Sequence, residues 1–343
     1  MTANLLGRLL DPRALRAADV RGTFDRLTDA ATDERERAAL LVALSARGDR
    51  PDELEAFARE MRGRAVSFPL PPGDRAVDLC GSGGARRPSF NVSTVSAFVV
   101  RAAGLHVAKH GNRSRRLCGS SDLLTALGLP VEASIPFARA SYRRFGLAFL
   151  HAPLFHPETR AVADVRRLLG IPTIFNRLGP LSNPARVRCQ VTGSVDVESA
   201  VDTATLLRKL GVSRGATMTS DDGCDEFSPR SPSTVLLWDR SVPRRLRIRP
   251  DRFLEPDDRR GPWGPLLPPA AAEETERLLA GGGGARRGSV LLTSGAALWI
   301  AGRADDLAGG IAAAREALDR GSAERLLEGL RGLAVRFRGD EGS

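Results

Sequence analysis

Aromatic side chains are scarce in this chain of 343 residues: Phe, Trp and Tyr together make up 5%, and there is a single tyrosine. So sparse a set does not furnish the stacking platform on which single-stranded nucleic acid is held. The basic balance does not change that reading. Lys and Arg number 51 against 41 Asp and Glu, a net charge of +10, yet the arginines are spread along the whole chain and form no stripe, so no nucleic-acid partner is expected. Lysine is rarer still: Lys109 and Lys209 are the only two, which makes a compact ammonium at Lys109 stand out. Cysteine is limited to Cys80, Cys118, Cys189 and Cys224, with no pair at zinc or redox spacing. That excludes a zinc module and a disulfide scaffold and fits structural thiols in a reducing cytoplasm. Long hydrophobic runs are missing too. The longest, Ser96 to Ala108, is broken by Arg101 and His106, short of the ~20 residues that span a bilayer. Met1 to Arg8 shows no basic segment leading into an apolar one, so neither a membrane nor a secretory destination is expected, and the protein is read as cytoplasmic.

What is present is a chain long enough for two unequal domains. Residues 1–66 read as helical: Ala38 to Leu44 is rich in helix formers, Leu54, Phe57 and Met61 recur at helical spacing, and Asp49 with Pro51 marks a helix start. Ser67 to Gly73, crowded with proline, cannot continue a helix and reads as a linker. From residue 74 the pattern alternates. Strands are expected over Ala76–Cys80, His106–Lys109, Leu147–Leu150, Val187–Val195, Ala216–Thr219 and Ser289–Leu292. Helices are expected over Ser93–Ala103, Asp122–Leu127, Glu198–Leu210 and Leu307–Leu330, with loops and edge strands from Pro229 to Pro269 and a flexible loop at Gly281–Gly284. Such alternation predicts an α/β fold with a mostly parallel sheet flanked by helices, preceded by a small all-helical domain.

In such sheets ligands bind beyond the carboxyl ends of the strands, and three polar segments fall there. Gly81-Ser82-Gly83-Gly84 leads into Asn91-Val92-Ser93-Thr94 at a helix start, an arrangement suited to an anion but equally to a tight turn. Lys109-His110-Gly111-Asn112-Arg113 offers a point charge to a phosphate oxygen, or is simply a hydrated loop. Asp221 to Glu226 offers carboxylates to magnesium, or is an exposed acidic turn. A fourth segment, His156-Pro157 through Arg166 and Thr173 to Pro184, reads as a pocket wall in which Arg166 either grips a carboxylate or makes a surface ion pair.

In their order, the Gly-x-Gly-Gly…Asn-Val-Ser-Thr loop, Lys-His-Gly-Asn-Arg, Phe-Asn-x-Leu-Gly-Pro-Leu-x-Asn-Pro (175–184) and the Asp225-Glu226 pair resemble the anthranilate phosphoribosyltransferase family of tryptophan biosynthesis. The resemblance covers nearly the whole chain, including the N-terminal helices and the segment around Ala296. It implies a helical domain (1–66, joined by a middle segment near 170–190), a phosphoribosyl-diphosphate-binding α/β domain (74–343), and a homodimer. It also implies transfer of phosphoribosyl from its diphosphate to the amine of anthranilate, with Mg2+. By the resemblance, Gly81, Gly84, Ala85, Ser89, Asn91, Val92, Ser93, Thr94, Lys109 and Ser120 contact the phosphoribosyl diphosphate. Ser93, Asp225 and Glu226 are the implied magnesium ligands, Gly81, His110, Asn112, His156 and Arg166 the implied acceptor contacts, and Lys109, Asp225 and Glu226 the catalytic group. A paralogue acting on another carboxylated aromatic is the alternative reading. Three stretches depart from the family pattern: Ala85-Arg86 stand where Asp-Gly is usual, Ser114 to Cys118 replaces a stretch with two serines and is one residue shorter, and Pro172 replaces an arginine.

Overall fold

The computed structural model describes residues 2–48, 50–82, 89–114 and 117–340. Four helices come first, Thr2–Leu10 (α1), Ala17–Thr28 (α2), Glu34–Arg47 (α3) and Pro51–Arg64 (α4). The Asp33 side chain caps α3 by accepting from the Arg35 amide. Pro51 sits in the first turn of α4, whose N-cap is Arg50; Asp49, expected to mark that start, lies outside the described residues.

Seven strands form one sheet: Val77–Cys80 (β1), Val107–Gly111 (β2), Leu147–His151 (β3), Cys189–Gly193 (β4), Arg214–Ser220 (β5), Ser233–Asp239 (β6) and Arg244–Ile248 (β7). The order is β3-β2-β1-β4-β5-β6-β7. The first five are mutually parallel, β6 is antiparallel to β5, and β7 is antiparallel to β6; of the edge strands expected between Pro229 and Pro269, β7 is at an edge and β6 is covered on both sides. The parallel strands are buried almost throughout, polar residues included, because helices cover both faces.

The helices that follow the strands are Val92–Ala102 (α5), Ser120–Ala126 (α6), Ile135–Phe145 (α7), Ala152–Phe155 (α8), Ala163–Leu169 (α9), Ile174–Leu178 (α10) and Val197–Lys209 (α11). Pro268–Leu279 (α12), Ala285–Ile300 (α13), Leu307–Asp319 (α14) and Ser322–Asp340 (α15) complete the chain. The segment Ser289–Leu292, expected as a strand, lies inside α13. That helix packs against α5 and α14 and is buried on every side, with Val290, Leu291 and Leu292 fully enclosed. Burial all round erases the polar stripe that would have shown a helical period, and a short apolar run is then indistinguishable from a strand. The single helix expected over Leu307–Leu330 is two, broken at Gly321, whose φ of +64° a side-chain-bearing residue rarely adopts.

Two apolar clusters matter for the site. One joins the sheet to α5, α13, α14 and α15. The other joins Leu9, Phe24, Leu40 and Phe57 of the first helices to Val165, Phe175 and Leu178 of the middle segment and to Trp238 of β6. The stretch from α9 to Leu181 is thereby clamped over the carboxyl ends of β1 and β2.

Candidate active site

β1 ends at Cys80 and releases Gly81 and Ser82; the chain returns through Ser89 and Phe90 to Asn91, the N-cap of α5. Asp225 closes onto this loop from the turn after β5. Its Oδ2 accepts both the Ser82 amide, at 2.9 Å, and the Ser82 hydroxyl, at 2.7 Å. The approach is close: a Cβ at Gly81 would stand 3.2 Å from Asp225 Oδ2, and one at Gly193, the end of β4, would overlap the Asp225 carbonyl oxygen. Glycine at 193 is what lets the acidic turn sit down on the sheet.

Lys109 belongs to β2 and is 3% exposed. It is no projecting loop cation: its Nζ donates to the Leu79 carbonyl at 2.6 Å and to Ser93 Oγ, in the first turn of α5, at 3.3 Å. Glu226, 6% exposed like Asp225, lies against the Ser93 amide and within the field of Lys109. Its pKa is nevertheless pushed up to about 8, first by burial and then by the neighbouring Asp225 charge, with Lys109 and the Ser93 amide working the other way. The ammonium, the acidic pair and the serine-bearing helix start thus converge. Val92 and Thr94 are buried behind them. The rest of the acidic run turns elsewhere: Asp221 pairs with Arg247 of β7, and Asp222 accepts from Ser228 Oγ at 2.8 Å.

The loop after β2 packs beside this cluster. Asn91 Nδ2 donates to the Cys118 carbonyl at 2.8 Å, and Ser120 Oγ to the Asn112 carbonyl at 3.2 Å. Ser89 Oγ donates to the adjacent Phe90 carbonyl at 3.0 Å and is half-buried. Gly84, Ala85 and their neighbours up to Pro88, with Arg115 and Arg116, lie outside the described residues.

A second group forms under the α10 segment. The His110 amide donates to the buried Asp78 carboxylate at 3.1 Å, and its ring Nδ1 lies 3.2 Å from the Gly179 carbonyl. That carbonyl can only accept, so Nδ1 carries the proton. His156 meets the same ring edge-on at 5.2 Å and bonds the Ser182 carbonyl through Nε2 at 3.0 Å. Burial lowers both pKa values, that of His156 to about 4, so two neutral imidazoles face each other. Arg166 is joined to this group through α10: its Nε bonds Thr173 Oγ1 at 3.1 Å, its Nη2 bonds Asn176 Oδ1 at 3.3 Å, and its guanidinium lies over Phe175.

Among the described residues no three His, Cys, Asp or Glu side chains gather into a metal cage. Two buried carboxylates and a hydroxyl nevertheless suit a hard cation that completes its shell with ligand oxygens and water, and the raised pKa of Glu226 marks a place where positive charge is wanted.

Comparison with known proteins agrees with this architecture. The model for the helical bundle domain of a glycosyl transferase family matches residues 3–65, and that for its a/b domain matches 73–324. An anthranilate phosphoribosyltransferase of Methanothermobacter marburgensis is 37% identical over 336 residues, covering 94% of this chain and 96% of that protein. One of Solibacter usitatus is 37% identical over 338 residues, covering 96% and 98%. The chain belongs to the anthranilate phosphoribosyltransferase family. The crystal structure of the anthranilate phosphoribosyltransferase from Thermus thermophilus superposes with a TM-score of 0.85 at 34% identity, over 96% of this chain and 99% of that one. The Saccharomyces cerevisiae enzyme in complex with PRPP and Mg has a TM-score of 0.84 over 98% of each chain; at 23% identity it bears on the fold alone.

Within this family fold, reasoning from sequence missed Ser82 as the partner of Asp225. It also missed Asp78 under His110, and Ser289 of α13, whose Oγ holds the Phe227 carbonyl at 2.6 Å behind the acidic pair. Ser82 lay inside a motif already singled out; the other two carried no local signal.

Proposed function

We propose that the protein transfers the phosphoribosyl group of 5-phosphoribosyl 1-diphosphate to the amine of anthranilate, giving N-(5-phosphoribosyl)anthranilate and diphosphate, with Mg2+, as a homodimer in the cytoplasm. The observation that carries it is the meeting of Lys109, Ser93 and the Asp225-Glu226 pair at the first turn of α5. Cleavage of the C1–O bond leaves positive charge on the ribose and an electron pair on the departing diphosphate. Lys109 and the positive end of the α5 dipole would stabilise that negative charge, and removing one such preorganised contact costs about 3–4 kcal/mol of the barrier. Asp225, Glu226 and Ser93 would hold magnesium, which supplies further charge neutralisation on the diphosphate. The amine nitrogen forms the new bond to C1 as the C1–O bond breaks, and its surplus proton passes to water or to the departing diphosphate. An aromatic amine needs no general base to attack, so holding it in place is the main task. Arg166, whose fork fits a carboxylate, would orient anthranilate, with Gly81, Asn112 and the neutral His110 and His156 beside it.

The test is loss of anthranilate fluorescence on incubation with phosphoribosyl diphosphate and magnesium. Turnover of another carboxylated aromatic but not of anthranilate would replace the acceptor, and no transfer to either would overturn the reading. Asp225→Ala with Glu226→Ala should abolish turnover in a folded protein. Arg166→Ala should raise KM for anthranilate most, and an effect confined to the donor's KM removes Arg166 from the acceptor side.

A further inference from the structure

The amino ends of the central strands carry a second charged feature, at the opposite end of the sheet from the candidate active site. Val77 pairs with Cys189 and Cys189 with Arg214, so the residues leading into β1, β4 and β5 share one rim. A cavity of about 340 Å3 opens there over Ala76, Cys189 and Ala301, inside the ~300–1,000 Å3 typical of small-ligand sites. Four arginines border it: Arg75, Arg188, Arg214 and Arg240.

Their pairing is uneven. Arg214 is engaged, forked onto Asp239 at 2.7 and 3.0 Å. The guanidinium groups of Arg75, Arg188 and Arg240 make no hydrogen bond or ion pair with any described residue. The remaining acid at the rim, Asp74, is already held by Tyr142 Oη at 2.5 Å and His106 Nδ1 at 2.9 Å. Three unneutralised like charges around one concavity repel, and a bound oxyanion relieves that cost. The backbone adds an independent sign. Arg240 has φ +55°, a left-handed conformation that costs a residue with a side chain about 1 kcal/mol and that tends to be kept at ligand clamps. It is pinned there by its amide, which donates to the Ser213 carbonyl at 2.7 Å.

We propose that this cleft binds a small phosphate-bearing metabolite, of about the size of a nucleoside monophosphate, with Arg75, Arg188 and Arg240 gripping the phosphate. Planar guanidinium forks match phosphate oxygens two at a time, which a lysine cluster would not. The site is separate from the active site proposed above, ~13 Å away along β4 at about 3.3 Å per residue, and does not depend on that assignment.

The experiment is calorimetric titration of AMP, adenosine and citrate into the full chain at low salt. AMP should bind saturably at one site per chain, with adenosine silent. The combined variant Arg75→Ala, Arg188→Ala, Arg240→Gly should weaken AMP at least tenfold while melting at the wild-type temperature; all three side chains are exposed, and glycine keeps the left-handed turn. Lys109→Met should leave AMP binding intact. The proposal falls if AMP does not bind saturably, binds the triple variant equally well, or is lost in Lys109→Met. It falls equally if citrate binds and AMP does not.

Discussion

Glu226 is the residue where burial and charge are most openly in conflict. A carboxyl held near pKa 8 in the folded chain, against about 4.3 when unfolded, keeps its proton in the native state across a window where the unfolded chain has lost it. The native state therefore binds more protons between roughly pH 4 and pH 8, and stability falls as pH rises through that window. His110 and His156, with lowered values, act the opposite way, because the unfolded chain takes up protons below about pH 6.5 that the native state refuses. Comparing Glu226→Gln with the wild type isolates the carboxyl. In the absence of ligands the variant's melting temperature should exceed the wild type's by more at pH 8 than at pH 5. A difference that stays constant over that range would mean that Glu226 ionises as an ordinary glutamate.

At the scale of elements, the site depends on two supports that lie far from it in sequence. Ser82 and Asp225 are 143 positions apart, and Ser289 and Phe227 are 62 apart, so no local pattern announces either bond. What was legible locally was legible for a physical reason: β3 opens on the apolar run Leu147–Leu150, β1 and β2 end at glycine turns, and α4 is opened by proline. The helix α7 was overlooked although Ser134 caps it by accepting from the Phe137 amide, and α13 was mistaken for a strand because its surroundings are apolar on all sides. The assignments of the site residues came from the ordered motifs; residue chemistry alone left each with a bland alternative, and burial removes the solvent-exposed one for Lys109, Asp225 and Glu226. Gly193→Ala tests the close approach. Its Cβ would overlap the Asp225 carbonyl, so the acidic turn must rise off the sheet. Turnover should fall at least tenfold while the far-ultraviolet circular dichroism is retained, and wild-type turnover would show that the turn has room to spare. Ser289→Ala removes one buried hydrogen bond behind the same turn and should lower stability by about 1 kcal/mol, read from denaturant midpoints.

At the scale of the whole molecule, exposed apolar surface is unevenly spread. Among the described residues eight large hydrophobic side chains are exposed, and four of them, Leu10, Val42, Leu168 and Ile171, sit on α1, on α3, on α9 and just after α9. Since α3 packs against both α1 and α9, the four side chains stand on adjoining elements, and Leu168 is 84% exposed. Single exposed leucines need no explanation, but a concentration of them on adjoining elements marks an interaction surface. The homodimer proposed above would give that surface an occupant: a two-fold axis places the same patch on both partners, so the apolar side chains of one copy would be covered by those of the other. Light scattering should therefore give twice the 36.7 kDa of one chain. Val42→Arg with Leu168→Arg should halve that mass without unfolding the protein, because both positions already face water in the single chain and four arginines brought into one interface repel. A wild-type mass of one chain at micromolar concentration, or an undiminished dimer in the double variant, would place the interface elsewhere or remove it.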